Sequence, residues 1–482
     1  MQFQVILPIL GIMLILFSTS SLPPMVVALI YGEPEISLFI YTFLLTLLLG
    51  ILLWFPFRNI KDELRNREGF LVTVLFWVVL GSVGALPFLM MESPSLTITD
   101  ALFESMSGLT TTGATILTDI EYLPRSILFY RQQLQWLGGM GIIVLAVAIL
   151  PMLGVGGMQL YRTEMPGPVK DSKLTPRITE TAKALWLLYV SLTLVCTLAY
   201  WLAGMNLFDA ISHSFTTIAI GGFSTYDASI GHFDSHLINT IAVFFMLVAS
   251  VNFALHFTAL RYQTLTSYFR DPEVKAFLAI MGIVSIITVL TLILSKTYSL
   301  DKSISYGIFE VVSVASTTGY SSSSFSAWPT FLPLLLFITS FAGGCAGSTA
   351  GGMKVIRVLL IFKQGVRELR RLVHPNAIFS IKLGGRPVDS RVGEAVWGFF
   401  ATYILMFVIM FLALLGTGLD LTTAFSTVAS CLNNLGPALG EAASNYDTLP
   451  DAAKWILCFA MLLGRLEIFT LLVLFTPTFW RY

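Results

Sequence analysis

The sequence predicts an all-α polytopic membrane protein. Three observations predict it: a composition too apolar for a water-soluble chain, apolar stretches of about 20 residues recurring along its length, and a fourfold internal repeat. Hydrophobic residues make up 56% of the 482 and charged residues 12%, where soluble domains carry about 25% charged residues. Apolar surface needs no polar cover in lipid. The formal net charge is zero, so nothing points to a nucleic-acid partner.

Ten stretches are expected to span: 2–31, 36–57, 70–92, 125–153, 180–204, 236–260, 274–295, 328–360, 394–417 and 452–475. The start, MQFQVILPILGIMLILFSTSSL, lacks a basic n-region and a small-residue cleavage site, so it reads as a retained first helix. An even number of spans puts both termini on one side.

Charge says which side. Of the 28 Lys and Arg, twenty-two fall after even-numbered spans or at the C-terminus. The blocks are Arg58 to Arg67, Arg162 to Lys183, Arg261 to Lys275, Lys354 to Arg391, and Arg481. Arg125, Lys296, Lys302 and Lys454 lie opposite, while Arg131 and Arg465 lie within spans. By the positive-inside rule both termini are expected in the cytoplasm. The outer connections are acidic instead, with Asp100, Glu104, Asp119, Glu121, Asp209, Asp227, Glu310, Asp420, Glu441 and Asp447 among others. Solvated loops account for many of these. The acids nearest the turns described next are expected to concentrate cations at an outer mouth.

Four outer connections share a pattern. Each opens with a helical stretch too short to span and ends in a small-residue turn: ALFESMSGLTTTGAT, AISHSFTTIAIGGFST, GIFEVVSVASTTGYSS and AFSTVASCLNNLGPAL. The anchoring glycines are Gly113, Gly222, Gly319 and Gly436, separated by 109, 97 and 117 residues. A period near 100 residues, each unit being span, short helix, Gly turn, span, is an internal repeat. Two extra spans precede it. The expected units are 1–68 for that pair, then 69–170, 171–270, 271–385 and 386–482.

Non-helical backbone at membrane depth survives only if it is buried in protein or lines water. Four Gly turns at one depth around one axis satisfy that condition together. Their free carbonyls would replace water around a cation, and the short helices would aim their negative C-terminal ends at it.

The motifs TTTGAT, IGGFST, STTGYSS and NNLGPALG, with GGCAGSTAGGMK in the third unit, carry a resemblance. The chain resembles the Trk/Ktr/HKT superfamily of K⁺ transporters over essentially its whole length, most closely the bacterial Trk-H branch. The resemblance implies four joined M1–P–M2 units around one pore, similar to K⁺ channels, in a homodimer of the bacterial inner membrane. It implies K⁺ as the transported ion, no organic cofactor, and a cytoplasmic nucleotide-binding partner of the Trk-A type. It also implies ion-coordinating carbonyls at Thr111, Thr112 and Gly113; Ile220, Gly221 and Gly222; Thr317, Thr318 and Gly319; and Asn434, Leu435 and Gly436. Loops two and four lack the Thr pair, so the ion sites are not fourfold equivalent.

Two mechanisms stay open: a gated pore for K⁺ uptake, and a Na⁺- or H⁺-coupled symporter with alternating access. Alternating-access folds tend to place broken helices at the midplane of inverted halves. Here the repeats run parallel with their Gly turns towards the outside, which favours a continuous pore. No enzyme is expected, because no constellation of His, Asp, Ser and Cys stands out. Cys196, Cys345, Cys431 and Cys458 lack metal-ligand spacing and read as small buried side chains. His256 reads as a helix-packing residue.

One span is odd. Stretch 328–360 holds Gly343, Gly344, Gly347, Gly351 and Gly352, and each Gly costs a helix about 1 kcal/mol relative to Ala. Gly343, Gly347 and Gly351 have GxxxG packing spacing, but Gly344 and Gly352 add cost without helping that face. Arg465, inside the last span, needs a partner, since a bare Arg there costs about 2.5–3.5 kcal/mol on insertion scales. Glu467 faces elsewhere. A broken helix whose freed carbonyls hold Arg465 answers both, and the resemblance implies the same intramembrane loop. The expectation is a gate latched by Arg465 below the turns. The basic segment with Arg367, Arg370 and Arg371 is expected to dock the partner, beyond its share of the positive-inside signal.

Overall fold

The computed structural model describes residues 3–60, 65–144, 178–329, 331–377 and 379–481. Among these the regular structure is helical apart from one short hairpin, Lys382–Leu383 paired with Arg386–Pro387. Residues 145–153 of the expected span 125–153, the basic residues Lys61, Arg162, Lys170, Lys173 and Arg177, and the expected boundary at 170 lie outside the described residues.

The N-terminal pair is α1 (Phe3–Ser18), continued by α2 (Leu22–Tyr31), and α3 (Ile36–Trp54). A β-carbon on Gly11 would collide with backbone at Gly50 and Trp54, so α1 and α3 touch backbone to backbone, as small residues permit in lipid. The first repeat is α4 (Asn66–Gly84) with its short extension α5 (Leu86–Met90), α6 (Ile98–Leu109) and α7 (Arg125–Val144). The second is α8 (Ile178–Leu202), α9 (Leu207–Ala219), α10 (His236–Ala249) and α11 (Phe253–Arg261), followed by α12 (Thr266–Arg270). The third is α13 (Pro272–Leu294), α14 (Leu300–Ala315), α15 (Leu332–Ser340) and α16 (Val355–Val373). The fourth is α17 (Ser390–Gly416), α18 (Leu421–Asn433), α19 (Asp451–Arg465) and α20 (Phe469–Leu472), with α21 (Pro477–Trp480) at the end.

The short helices α6, α9, α14 and α18 start where their sequence says they should. Thr97, Asn206, Ser299 and Asp420 stand at their N-caps, and the Thr97, Asn206 and Asp420 side chains accept hydrogen bonds from the first turn, which relieves orphan backbone donors. Each short helix packs between the two spans of its own repeat. Each also meets the second span of the preceding repeat: α7 on α9, α10 on α14, α15 on α18, and α19 back on α6. The last contact closes the four repeats into a ring.

The structure corrects the continuity of two expected spans. Stretch 236–260 is α10 and α11 bent by 92°, and 452–475 is α19 and its continuation bent by 110°. Stretch 328–360 is also interrupted, by an irregular loop from 341 to 354. Six helices among the described residues are long and apolar enough to cross a bilayer, or up to eight if each bent pair is one span. The bends have local causes. Asn252 caps α11 by accepting from Ala254 N at 2.8 Å, so a fresh helix starts after Ser250. At the other bend Glu467 and Ile468 take left-handed φ of 52° and 59°, which an α-helix cannot pass through.

Candidate functional site: a ring of four Gly turns above a glycine-rich loop

The four turns are built alike. In each, the residue before the glycine donates its N–H to a carbonyl five residues back: Thr112 to Ser107, Gly221 to Thr216, Thr318 to Ser313 and Leu435 to Ser430, at 2.8–2.9 Å. This is a Schellman-type stop that satisfies the free carbonyls of the helix end. Thr111, Ile220, Thr317 and Asn434 take left-handed φ of 54°, 54°, 66° and 54°. The glycines follow at 83°, 80°, 81° and 100°. Successive residues of a regular strand face opposite ways; two left-handed residues in each three-residue segment break that alternation.

The glycines also fix how the turns meet. A β-carbon on Gly113 would run into the carbonyl oxygen of Gly221, one on Gly222 into that of Thr318, one on Gly319 into that of Leu435, and one on Gly436 into that of Thr112. Each glycine therefore backs onto the residue before the next glycine, and the fourth returns to the first. Only glycine combines this φ with this approach. A ring of backbone carbonyls at one level has the chemistry to replace a cation's water shell.

Above the ring lies an open cavity of about 690 Å³, lined by all four turns and the segments after them. Its acidic lining is Asp119 and Asp227. Asp227 Oδ2 accepts from Ile120 N and its own N–H donates to Glu121, both at 3.2 Å. Burial and the neighbouring Glu121 carboxylate push the Asp227 carboxyl up, while hydrogen bonds from backbone N–H groups, its own and that of Asp227, hold Glu121 low. Other acids expected at the mouth are engaged elsewhere. Asp100 pairs with Lys454 at 2.6 Å, Asp209 accepts from Thr225 and Tyr226 at 2.8 Å, and Asp420 caps α18.

Below the ring, residues 341–354 form a loop with its feet together: Met353 N donates to Phe341 O and Val355 N to Gly344 O, both at 3.0 Å. Gly343, Gly347 and Gly352 take left-handed φ there. The loop reaches three repeats. Thr349 Oγ1 donates to Ile218 O at 3.0 Å, Gly351 N to Thr317 Oγ1 at 2.7 Å, and Gly352 N to Asn433 O at 3.0 Å. Ala350 packs against Ile220 and Ala249. Arg465 closes the set: Nη1 donates to Thr349 O at 3.2 Å and Nη2 to Gly138 O, in the first repeat, at 2.8 Å. Glu467 instead pairs with Arg357.

These features together, four Gly turns in one ring over a broken span, can be set beside known proteins. A family model for the cation transport protein TrkH matches residues 35–482. The chain is 59% identical over 482 residues to the Trk system potassium uptake protein TrkH of Escherichia coli K12, covering all of both chains. The chain belongs to the TrkH family of cation transport proteins. It is also 43% identical to the Trk system potassium uptake protein TrkG of the same organism, over 99% of each chain. The crystal structure of the potassium transporter TrkH from Vibrio parahaemolyticus superposes with a TM-score of 0.92 at 54% identity, covering all of both chains. That match fixes this chain's all-helical, multi-span fold as that of the TrkH family.

Within this TrkH-family frame, several residues that hold the turns had been given no such role from sequence: Glu104 and Glu310 stood only among the outer acids and Arg131 only as a basic residue within a span. Nine positions before each ring glycine stand Glu104, His213, Glu310 and Thr427, all buried. Three of them brace the segment that leaves their own turn. Glu104 accepts from Thr115 Oγ1 and Ile116 N at 3.0 and 3.1 Å. His213 Nε2 bonds Ser224 Oγ at 2.9 Å, and Glu310 accepts from Ser322 N and Ser323 N at 2.6 and 3.0 Å. Arg131 in turn pairs with Glu104 at 2.8 Å, donates to Ser224 O at 3.2 Å and lies 4.3 Å from the Phe223 ring centre. It ties turn one to turn two. The common offset of nine was a signal in the aligned repeats.

Elsewhere, Arg367 and Arg371 on α16 both hold Glu368, at 2.8 and 3.4 Å, and Arg370 lies in the last turn of that helix. His256 spans the bend of the second repeat, bonding Val248 O and Tyr268 OH at 2.8 Å each. All four cysteines are free and buried.

Proposed function

We propose that the chain carries out K⁺ uptake across the bacterial inner membrane through one selective pore on the axis of its four repeats. The carbonyls of Thr111–Gly113, Ile220–Gly222, Thr317–Gly319 and Asn434–Gly436 take the ion's coordination from water. The observation that carries this reading is the closed order of contacts in which each ring glycine backs onto the next turn. Potassium is named for the relatives in E. coli and V. parahaemolyticus, and all four glycines stand in this chain.

The loop 341–354 is the gate, and Arg465 is its latch. A cytoplasmic nucleotide-binding subunit of the Trk-A type opens it, docking on the basic surface that includes Arg367, Arg370 and Arg371. The asymmetry of Lys and Arg between the two sides supports cytoplasmic termini, and the superfamily resemblance supports a homodimer.

Recording currents from purified protein in planar bilayers tests the reading. Unitary K⁺ currents well above roughly a thousand ions per second are expected, because a cycle of domain motions is limited to microseconds to milliseconds per step. Slow flux tied to a Na⁺ or H⁺ gradient would replace the pore by an alternating-access symporter.

A further inference from the structure

The geometry points to Glu273 as the joint that fixes the intramembrane loop to the cytoplasmic surface, a positioning residue for the gate. This rests on the reading of 341–354 as the gate. Glu273 lies in the first turn of α13 and is buried. One of its oxygens, Oε1, accepts two backbone hydrogen bonds: from Ala346 N at 2.7 Å and from Ile356 N at 3.1 Å. These residues sit near the two feet of the loop. A single carboxylate atom thus holds both the entering arm of the loop and the first turn of the helix that leaves it.

The need for it follows from the sequence of the loop's exit. Helix α16 begins directly after Lys354, which takes φ 74° and makes no side-chain cap. A lysine offers no acceptor to the free N–H groups of a first turn. Ile356 is in that first turn, and Glu273 supplies the missing acceptor from another part of the chain. A carboxylate at a helix N-terminus also opposes the helix dipole favourably. Lys354 Nζ turns back to Ala350 O within the loop.

Glu273 is itself rigidly set. Asp271, the N-cap of α13, accepts from Glu273 N at 2.8 Å and from Val274 N at 3.0 Å. Directly before Asp271 comes α12, with Arg270 at its end, on the side where the charge pattern puts the cytoplasm. The path from that surface to the loop is therefore short: α12, the Asp271 cap, Glu273, then both loop feet. A partner that shifts α12 shifts the anchor of the loop, whereas Arg465 restrains the loop from the side of the first and fourth repeats.

The experiment compares Glu273→Ala, Glu273→Gln, Glu273→Asp and Arg465→Ala in proteoliposomes, with and without the regulatory subunit. Glu273→Ala should raise partner-independent K⁺ flux severalfold and bring the ratio of flux with partner to flux without it towards one. Glu273→Gln, which keeps an acceptor oxygen in place, should restore both values towards wild type. Glu273→Asp, one methylene short, should fall between, and decides the matter if Glu273→Ala fails to insert. A purely structural role would lower the amount of inserted protein and leave flux per molecule and the partner ratio unchanged. Raised flux in Arg465→Ala with wild-type flux and ratio in Glu273→Ala and Glu273→Asp overturns the joint while the gate stands. Wild-type flux in all of the variants removes the gate itself, and the joint with it.

Discussion

Arg131 and Glu104 pair at 2.8 Å with no exposed side-chain surface on either. One comes from the second span of the first repeat and the other from its short helix, and the Arg131 guanidinium also reaches Ser224 O in the next repeat. Removing one partner of a buried pair leaves an uncompensated charge and costs about 3–5 kcal/mol. Arg131→Met alone should therefore lower the melting temperature of the detergent-purified protein and cut K⁺ uptake. Adding Glu104→Gln should recover most of the melting temperature. Uptake should recover less, because the tie to Ser224 stays broken. Equal recovery of both would reduce the pair to a stability feature.

The ring glycines are tested by Gly113→Ser, Gly222→Ser, Gly319→Ser and Gly436→Ser. Left-handed backbone costs a non-glycine residue about 1–2 kcal/mol, and the new β-carbon must also displace a carbonyl of the neighbouring turn. Weaker discrimination between K⁺ and Na⁺, or a higher KM for K⁺ uptake, is expected in each variant. Wild-type ion competition in all four would sink the assignment of the filter.

Acidification should weaken K⁺ capture at the mouth. The Asp227 carboxyl is pushed up from its usual range while Glu121 is held low. As pH falls through the raised Asp227 value, that carboxylate is neutralised first and Glu121 stays charged. The local negative potential drops, so KM for K⁺ should rise over that interval. Asp227→Asn should show the raised KM already at neutral pH and lose the dependence. A dependence that survives in Asp227→Asn belongs to another group.

Arg465→Ala should raise K⁺ flux in the absence of the regulatory subunit, because Thr349 O and Gly138 O lose their common donor. Shortening the 343–352 segment should do the same. Proteoliposome flux at the wild-type level in both, with normal expression, would falsify the latch.

Neutralising Arg367, Arg370 and Arg371 together should lower the affinity for the regulatory subunit and flatten its salt dependence, since exposed charge interactions are screened by salt. Glu368 already engages two of the three, so Arg370→Gln alone should account for a large share. Pull-downs at several ionic strengths measure it. Unchanged binding of the triple variant moves the docking surface elsewhere.

The ring was legible in the sequence because it is written four times. Glycine at one place in each repeat, after a capped stretch too short to span, has few other physical uses. The broken span was legible from its glycines and from an arginine placed inside an apolar stretch, where it must be answered by polar groups. The other two bends were not. Apolar content measures burial in lipid and says nothing about helix continuity, and Leu466-Glu467-Ile468 contains no glycine or proline to mark the break. Asn252 before Phe253 was a readable cap, hidden inside an apolar run. Two of the outer acids have structural work that position could have told: Asp420 stands where an N-cap belongs and Asp100 in a first turn, whereas the pairing of Asp100 with Lys454 joins residues far apart in the chain.

The glycine that closes the ring has a consequence for how the protein is made. Gly436 backs onto Thr112, so the first turn has no complete wall until the fourth has left the ribosome. The two positions are 324 residues apart, a delay of about 16–65 s at synthesis rates of about 5–20 residues per second. Through that interval the nascent first turn carries polar backbone that hydrocarbon cannot satisfy. The early repeats must then wait in a wet or chaperoned setting, and a chain arrested before its last repeat should be cleared by membrane proteases, since it cannot persist as a smaller pore.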